Sequence, residues 1–214
     1  MDWDNISFQN FLLSLQKYKD KFYLGNPSEE KYYLEIIVIL ENQDIKNKAN
    51  YVDSIVLFLN RWHCRFSKEI SPKAISDWII KESNKLKSIS NLTIDNLKLK
   101  NNIELIKELY NSLFELRSNG IHNMSDACAS KILHLMIPKL FVMWDLNIMQ
   151  NYEYDSFIIK MHEFSLKLIN EYKNKFNNFQ IEKYLQEYYN YPFKKSLAKY
   201  IDEYNWYEAF GKNR

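Results

Sequence analysis

Apolar residues recur at helical spacing along almost the whole chain. Between residues 5 and 22 they fall at Phe8, Phe11, Leu12, Leu15, Tyr18 and Phe22, which predicts an amphipathic helix. Gly25-Asn26-Pro27-Ser28 breaks that helix and sets Ser28 to cap the next, expected over 29–42. The run Ile36 to Leu40 would also suit a buried strand, but the charged lead-in Glu29-Glu30-Lys31 and the lack of a partner strand favour a helix. The pattern returns over 50–66 through Val52, Ile55, Val56, Leu59 and Trp62. Ser71-Pro72 reads as an N-cap followed by proline at the first helical position, and the helix carries Ile75, Trp78, Ile79 and Leu86. Residues 88–100 are polar and irregular. A helix over 101–117 runs through Ile106, Leu109 and Leu113 and stops at Asn119-Gly120. Ser125 caps a helix that reaches Ile137 and is stopped by Pro138. Helices over 156–176 and 178–190 come next, and Pro192 opens the last, through Leu197, Tyr200, Ile201 and Trp206.

Composition agrees with an all-α fold. Among 214 residues there are three glycines and four prolines, too few for the tight turns of a sandwich or barrel. The length suits a single domain, 1–214, or two helical lobes joined near 88–100 with a cleft between them. A net charge of +2 neither implies nucleic acid nor excludes it, because local patches matter more than totals. Cys64 and Cys128 make no metal-ligand spacing and no disulfide framework, so a reducing, cytoplasmic setting is expected, with no metal and no cofactor. The longest apolar run, Ile36 to Leu40, is far too short to span a bilayer.

Ser125 to Ile148 is the stretch that points to chemistry. Ala129 begins a tight helix, Ile132 and Leu133 form an aliphatic pair, and Leu135, Lys139 and Phe141 fall in step. Asp145 lies sixteen residues after Ala129, and Asn147-Ile148 open the next helix. The segment resembles the second hairpin helix and catalytic loop of the helix-hairpin-helix DNA glycosylases, most closely the adenine DNA glycosylases. The resemblance implies a helix-hairpin-helix glycosylase-like fold and DNA as partner. It also implies a carboxylate, Asp145, that stabilises positive charge on the sugar or activates water. Trp144, Phe141 or one of the many tyrosines would wall a base drawn out of the helix. Asn123, Met124 and Ser125 stand where the family has a Gly-hydrophobic-Gly hairpin, so Asn123 and Ser125 would meet the phosphate, beside Lys131. Ala127 occupies the family's Schiff-base lysine position, which implies a monofunctional enzyme. The four-cysteine motif of the adenine enzymes is absent, and with it their iron–sulfur cluster.

Other readings of these residues compete. An aspartate before a helix is often just an N-cap, and the chain could be an inert DNA- or protein-binding member of the fold. Arg61 and Arg65, four apart with Trp62 between them, share a helix face suited to nucleic acid or to solvent. Arg117 and His122 resemble the Arg-x4-His motif of HEPN ribonucleases, which requires one continuous helix. His134 and His162 read as structural histidines. Lys194, Lys195 and Lys199 form a basic patch trailed by Asp202, Glu203 and Glu208, which reads as a solvated face.

Overall fold

The computed structural model describes residues 2–22, 28–62, 64, 72–118, 122–145, 148, 153–177, 180–191 and 194–211. Arg65, Ser71, Asn119, Gly120, Asn147 and Pro192 lie outside them, and for Arg117, His122 and Asn123 the backbone alone is described. The helical periodicity is realised as α1 (Phe8–Phe22), α2 (Ser28–Glu41), α3 (Val52–Arg61), α4 (Pro72–Ile89) and α5 (Ile103–Phe114). Then come α6 (Asp126–Met136), α7 (Tyr154–Phe176), α8 (Ile181–Tyr189) and α9 (Leu197–Phe210). The β-branched run Ile36 to Leu40 is helical, and it buries Ile36, Ile37 and Leu40. Among the described residues no helix is long and apolar enough to cross a membrane.

Several boundaries differ from the sequence reading; α3, expected to reach residue 66, stops at Arg61. The helix expected to reach Arg117 ends at Phe114, and the chain then forms a short hairpin. Its strands, β1 (Arg117–Ser118) and β2 (His122–Asn123), pair antiparallel with Arg117 opposite Asn123. An entirely sheet-free chain is thus corrected by one two-residue ladder. The last helix begins at Leu197 instead of Pro192, because Ser196 is the cap: its hydroxyl accepts from Lys199 N at 3.2 Å.

α6 is the axis of the packing. Cys128 to Met136 are buried apart from Lys131, which is half-buried, so the helix meets neighbours on nearly every side. α5 packs on α4, α6 and α7, while α1 packs on α9 and α7. The buried residues form one cluster from Trp3 to Tyr204. The irregular stretch after α4 belongs to it: Ile94 and Leu99 are buried, Ile94 N donates to Lys139 O at 2.9 Å, and His162 Nδ1 donates to Ile94 O at 2.7 Å. α7 and α8 end at Asn177 and Asn190 in the left-handed conformation, both at φ 49°.

Leu133 is fully buried at the middle of α6. Leu133→Ala should lower the unfolding free energy by about 2–5 kcal/mol, through lost burial and the cavity left behind. Urea titration should show an earlier midpoint at an unchanged slope.

Candidate functional site

The segment that carries the glycosylase resemblance is a helix and a return strand of chain held against it. Ser125 caps α6 by accepting from Cys128 N at 3.3 Å. The helix stops at Ile137, ahead of Pro138, and the chain turns back through Phe141 to Asp145 without regular structure. Two residues one helical turn apart on α6 fasten it. His134 Nδ1 donates to Phe141 O at 2.6 Å, and Tyr33 Oη donates to His134 Nε2 at 2.9 Å. Both ring nitrogens are thus used by the neutral tautomer, and burial pushes the imidazole down to about 3. One turn earlier, Ser130 Oγ donates to Trp144 O at 3.1 Å and accepts from Trp144 N at 2.9 Å. The clamp fixes where Trp144 sits.

Trp144 enters an aromatic recess of about 400 Å³ between α5, the first turn of α6 and the start of α7. Tyr110 and Tyr154 stack there with centroids 4.2 Å apart, and Tyr110 and Phe114 lie near-parallel at 6.2 Å. Tyr110 Oη donates to Asp126 Oδ1 at 2.5 Å, and Lys107 Nζ reaches Glu153 at 3.1 Å and Asp155 Oδ2 at 3.0 Å. Two polar atoms of the lining residues are buried without a hydrogen-bond partner among the described residues: the Trp144 indole N–H and Asp155 Oδ1.

Asp145 lines neither this recess nor a larger, lysine-rich hollow of about 600 Å³ bounded by Lys48, Lys87, Lys139, Lys194 and Ser196. It is half-buried, and its charge opposes ionisation of the Cys64 thiol. It is not the cap of α7, which begins after Glu153; instead Ile148 N donates to Asp145 O at 2.8 Å in a local turn. The expected phosphate contacts are scattered. Lys131 Nζ donates to Trp62 O at 3.3 Å and to Cys64 Sγ at 3.2 Å, Arg61 lies over the Tyr32 ring at 5.0 Å, and Asn123 is on β2. Arg117 and His122 stand on opposite strands of the hairpin, so the continuous helix of the ribonuclease motif is not formed.

The basic patch on the last helix is a burial site and not a solvated face. Lys194 is exposed, but Lys195, Lys199, Asp202 and Glu203 are buried, because α9 is covered on all sides from Leu197 to Asn205. Lys199 Nζ lies 3.0 Å from Asp202 Oδ2, 3.2 Å from Glu30 Oε1 on α2 and 3.5 Å from Glu203 Oε1. The rings of Trp62 at 4.7 Å and Tyr33 at 4.8 Å complete its cage. Burial alone would lower Lys199, but the three carboxylates more than reverse it and hold it charged. Burial likewise opposes ionisation of Glu30, yet Lys199 and Lys195 draw it down to about 2. Lys195 donates to Glu203, and there burial wins on both sides: the lysine is lowered and the acid raised. The reading as a solvated face fails because Lys199 pairs with Glu30 across 169 residues, a contact that helical periodicity cannot reveal. The missing clue is α9's lack of a polar side.

Among the described residues no cluster of histidine, cysteine or carboxylate side chains is arranged to hold a metal ion. Compared with protein-family models, with curated proteins and with solved structures, the chain matches none of them.

Two measurements check these arrangements. Lys199→Met leaves buried carboxylates without their cation and should cost about 3–5 kcal/mol in urea unfolding at neutral pH. His134 is a base whose folded pKa is depressed, so the unfolded chain takes up a proton that the folded chain refuses. Its contribution is therefore complete above about 6.5, and falls by about 1.4 kcal/mol per pH unit as pH drops toward 3. His134→Asn should flatten that slope relative to the parent chain.

Proposed function

We propose that this chain is a nucleic-acid-binding protein that recognises a single unstacked base in the recess walled by Tyr110, Phe114, Trp144 and Tyr154. The observation that carries the reading is the aromatic wall, the stacked Tyr110–Tyr154 pair with Phe114 half-exposed beside it, and two lining residues each hold an unpartnered buried atom, a donor on Trp144 and an acceptor on Asp155. Buried polar groups are ordinarily satisfied, and leaving one unpaired costs about 1–3 kcal/mol. A nucleobase edge offers both an acceptor and an amine donor, and its faces stack on aromatic rings. Phe114 is half-exposed beside the stacked Tyr110–Tyr154 pair, so a planar ring laid on it continues the stack. Asp126, Glu153 and Asp155, set around Lys107, disfavour phosphate inside the recess and favour amine-bearing bases, with the backbone outside.

The glycosylase resemblance supports the same class of ligand, since the chemistry it implies needs an aromatic wall and Trp144 is one candidate for it. Excision is a further step, and in this proposal it belongs to Asp145. That carboxylate does not line the recess, so the geometry favours recognition of a base over its removal.

Binding is read with fluorescein-labelled single-stranded oligonucleotides and with mismatched duplexes. Trp144→Phe and Asp155→Asn should each weaken binding by about tenfold, the worth of one hydrogen bond in a dry site. Trp144→Phe should leave the urea midpoint unchanged or slightly raised, because it removes a donor that nothing satisfies in the free protein. If abasic sites form in these duplexes, Asp145→Asn should cut their rate by about 10²–10³-fold at unchanged affinity. Failure to bind any oligonucleotide, with tetramethylammonium binding the recess instead, overturns the reading in favour of a cation cage.

A further inference from the structure

Cys64 and Cys128 are 64 residues apart in sequence and meet in the fold. Cys64 sits just beyond α3, where its amide donates to Leu59 O at 3.0 Å, and Cys128 is in the first turn of α6. Both are free thiols; Cys64 is 8% exposed and Cys128 2%, so the first stands at the edge of solvent and the second behind it. Cys128 Sγ donates to Cys64 O at 3.4 Å, which brings the two cysteines side by side. On its other side the Cys64 sulfur accepts from Lys131 Nζ at 3.2 Å. Lys131 is itself held in place, donating to Trp62 O at 3.3 Å and lying over the Trp62 ring at 5.5 Å.

The Cys64 sulfur therefore faces the Lys131 ammonium, while the Cys128 proton is given to the Cys64 carbonyl. The Cys128 hydrogen bond and the Lys131 charge draw Cys64 down to about 6, against burial and the Asp145 carboxylate. The same hydrogen bond, with burial, pushes Cys128 up. A thiolate beside a protonated thiol is the asymmetry that a nucleophilic and a resolving cysteine need.

We propose that Cys64 and Cys128 form a peroxide-responsive dithiol, with Cys64 the attacking thiolate, Cys128 the resolving thiol and Lys131 the positioning cation. In the first step the Cys64 thiolate attacks the terminal oxygen of a hydroperoxide. The S–O bond forms, the O–O bond breaks, and the alkoxide or hydroxide leaves as alcohol or water with a proton from Lys131 or solvent. In the second step the Cys128 sulfur attacks the Cys64 sulfenic acid, the S–S bond forms, and the S–O bond breaks. The Cys128 proton leaves with the hydroxide as water. Two thiols are oxidised by two electrons, and the peroxide is reduced to alcohol, or water, plus water. The product ties the end of α3 to the first turn of α6 and takes away the sulfur that Lys131 holds.

The test uses the reduced full chain and hydrogen peroxide. Thiols are counted with Ellman's reagent in denaturant, and the cross-link is mapped by peptide mass spectrometry without reductant. The expected result is loss of both thiols, with an intrachain Cys64–Cys128 disulfide. Cys128→Ser should accumulate a Cys64 sulfenic acid that dimedone traps, while Cys64→Ser should leave Cys128 unoxidised. Lys131→Met should slow oxidation by roughly tenfold near neutral pH, as the thiolate fraction falls, and Lys131→Arg should restore much of the rate. Circular dichroism establishes that each variant is folded before it is scored. The proposal is overturned if the parent chain keeps both thiols at peroxide levels that oxidise free cysteine. It is equally overturned if Cys128 oxidises first, or if the disulfides that form are between chains.

Discussion

The burial of Lys199 is the constraint around which the rest of the fold is arranged. Moving an ammonium out of water costs several kcal/mol unless carboxylates and polarisable rings take the place of solvent. Here those groups come from distant parts of the chain: Glu30 and Tyr33 from α2, Trp62 from the end of α3, and Asp202 and Glu203 from α9 itself. Tyr18 on α1 adds a hydrogen bond to Glu30 at 2.6 Å. An apolar helix tolerates small slides against its neighbours, because hydrophobic attraction has little direction. α9 does not, since a shift of one residue would swing Lys199 away from Glu30 and leave both charges stranded. The cluster sets the rotation and height of α9, and with it the position of everything α9 touches.

A second, uncharged device does the same for the chain that returns from α6. Ser130 and His134 together supply three hydrogen bonds to the backbone of Phe141 and Trp144. The returning segment thereby has a different environment on each side. Trp144 meets the stacked tyrosines of α5 and α7, and the Asp145 charge acts on Cys64. The proposed base recognition thus rests on the two α6 side chains that hold the backbone of Phe141 and Trp144. Tyr33 connects the two devices, since its hydroxyl bonds His134 and its ring faces Lys199.

Most of the helices are legible in the sequence because their signal is local. The apolar spacing that marks α1, α5 and α7 is the spacing that buries Phe11, Leu109 and Leu168. Ser125 and Pro138 bracket α6 for equally local reasons. The site is less legible because its parts are joined by long-range contact. Ser130 reads as an ordinary helix residue until Trp144 is beside it, and nothing in the sequence singles out Asp155 until one of its oxygens is found buried. The cysteine pair has no spacing that announces it; the packing of α3 on α6 places Cys64 by Cys128. Lys195 and Lys199 mislead for the same reason: a charge run resembles a solvated face unless its partner charges, on another helix, are known.

The pairing of the first helix with the last bears on how the chain is made. Trp3 Nε1 donates to Asn205 Oδ1 at 2.9 Å and Ser14 Oγ to Glu208 Oε1 at 2.8 Å, across 202 and 194 residues. Until α9 leaves the ribosome, α1 lacks the helix it packs on, and Glu30 and Tyr18 wait without their ammonium. Helices can form early, but the closing contacts carry the largest loop entropy and arrive last. Synthesis at about 5–20 residues per second keeps that incomplete core open for on the order of ten seconds or more. Over that interval the nascent chain offers its apolar α1 and α2 faces to chaperones and to other chains, so the step most exposed to misassembly is the docking of α9.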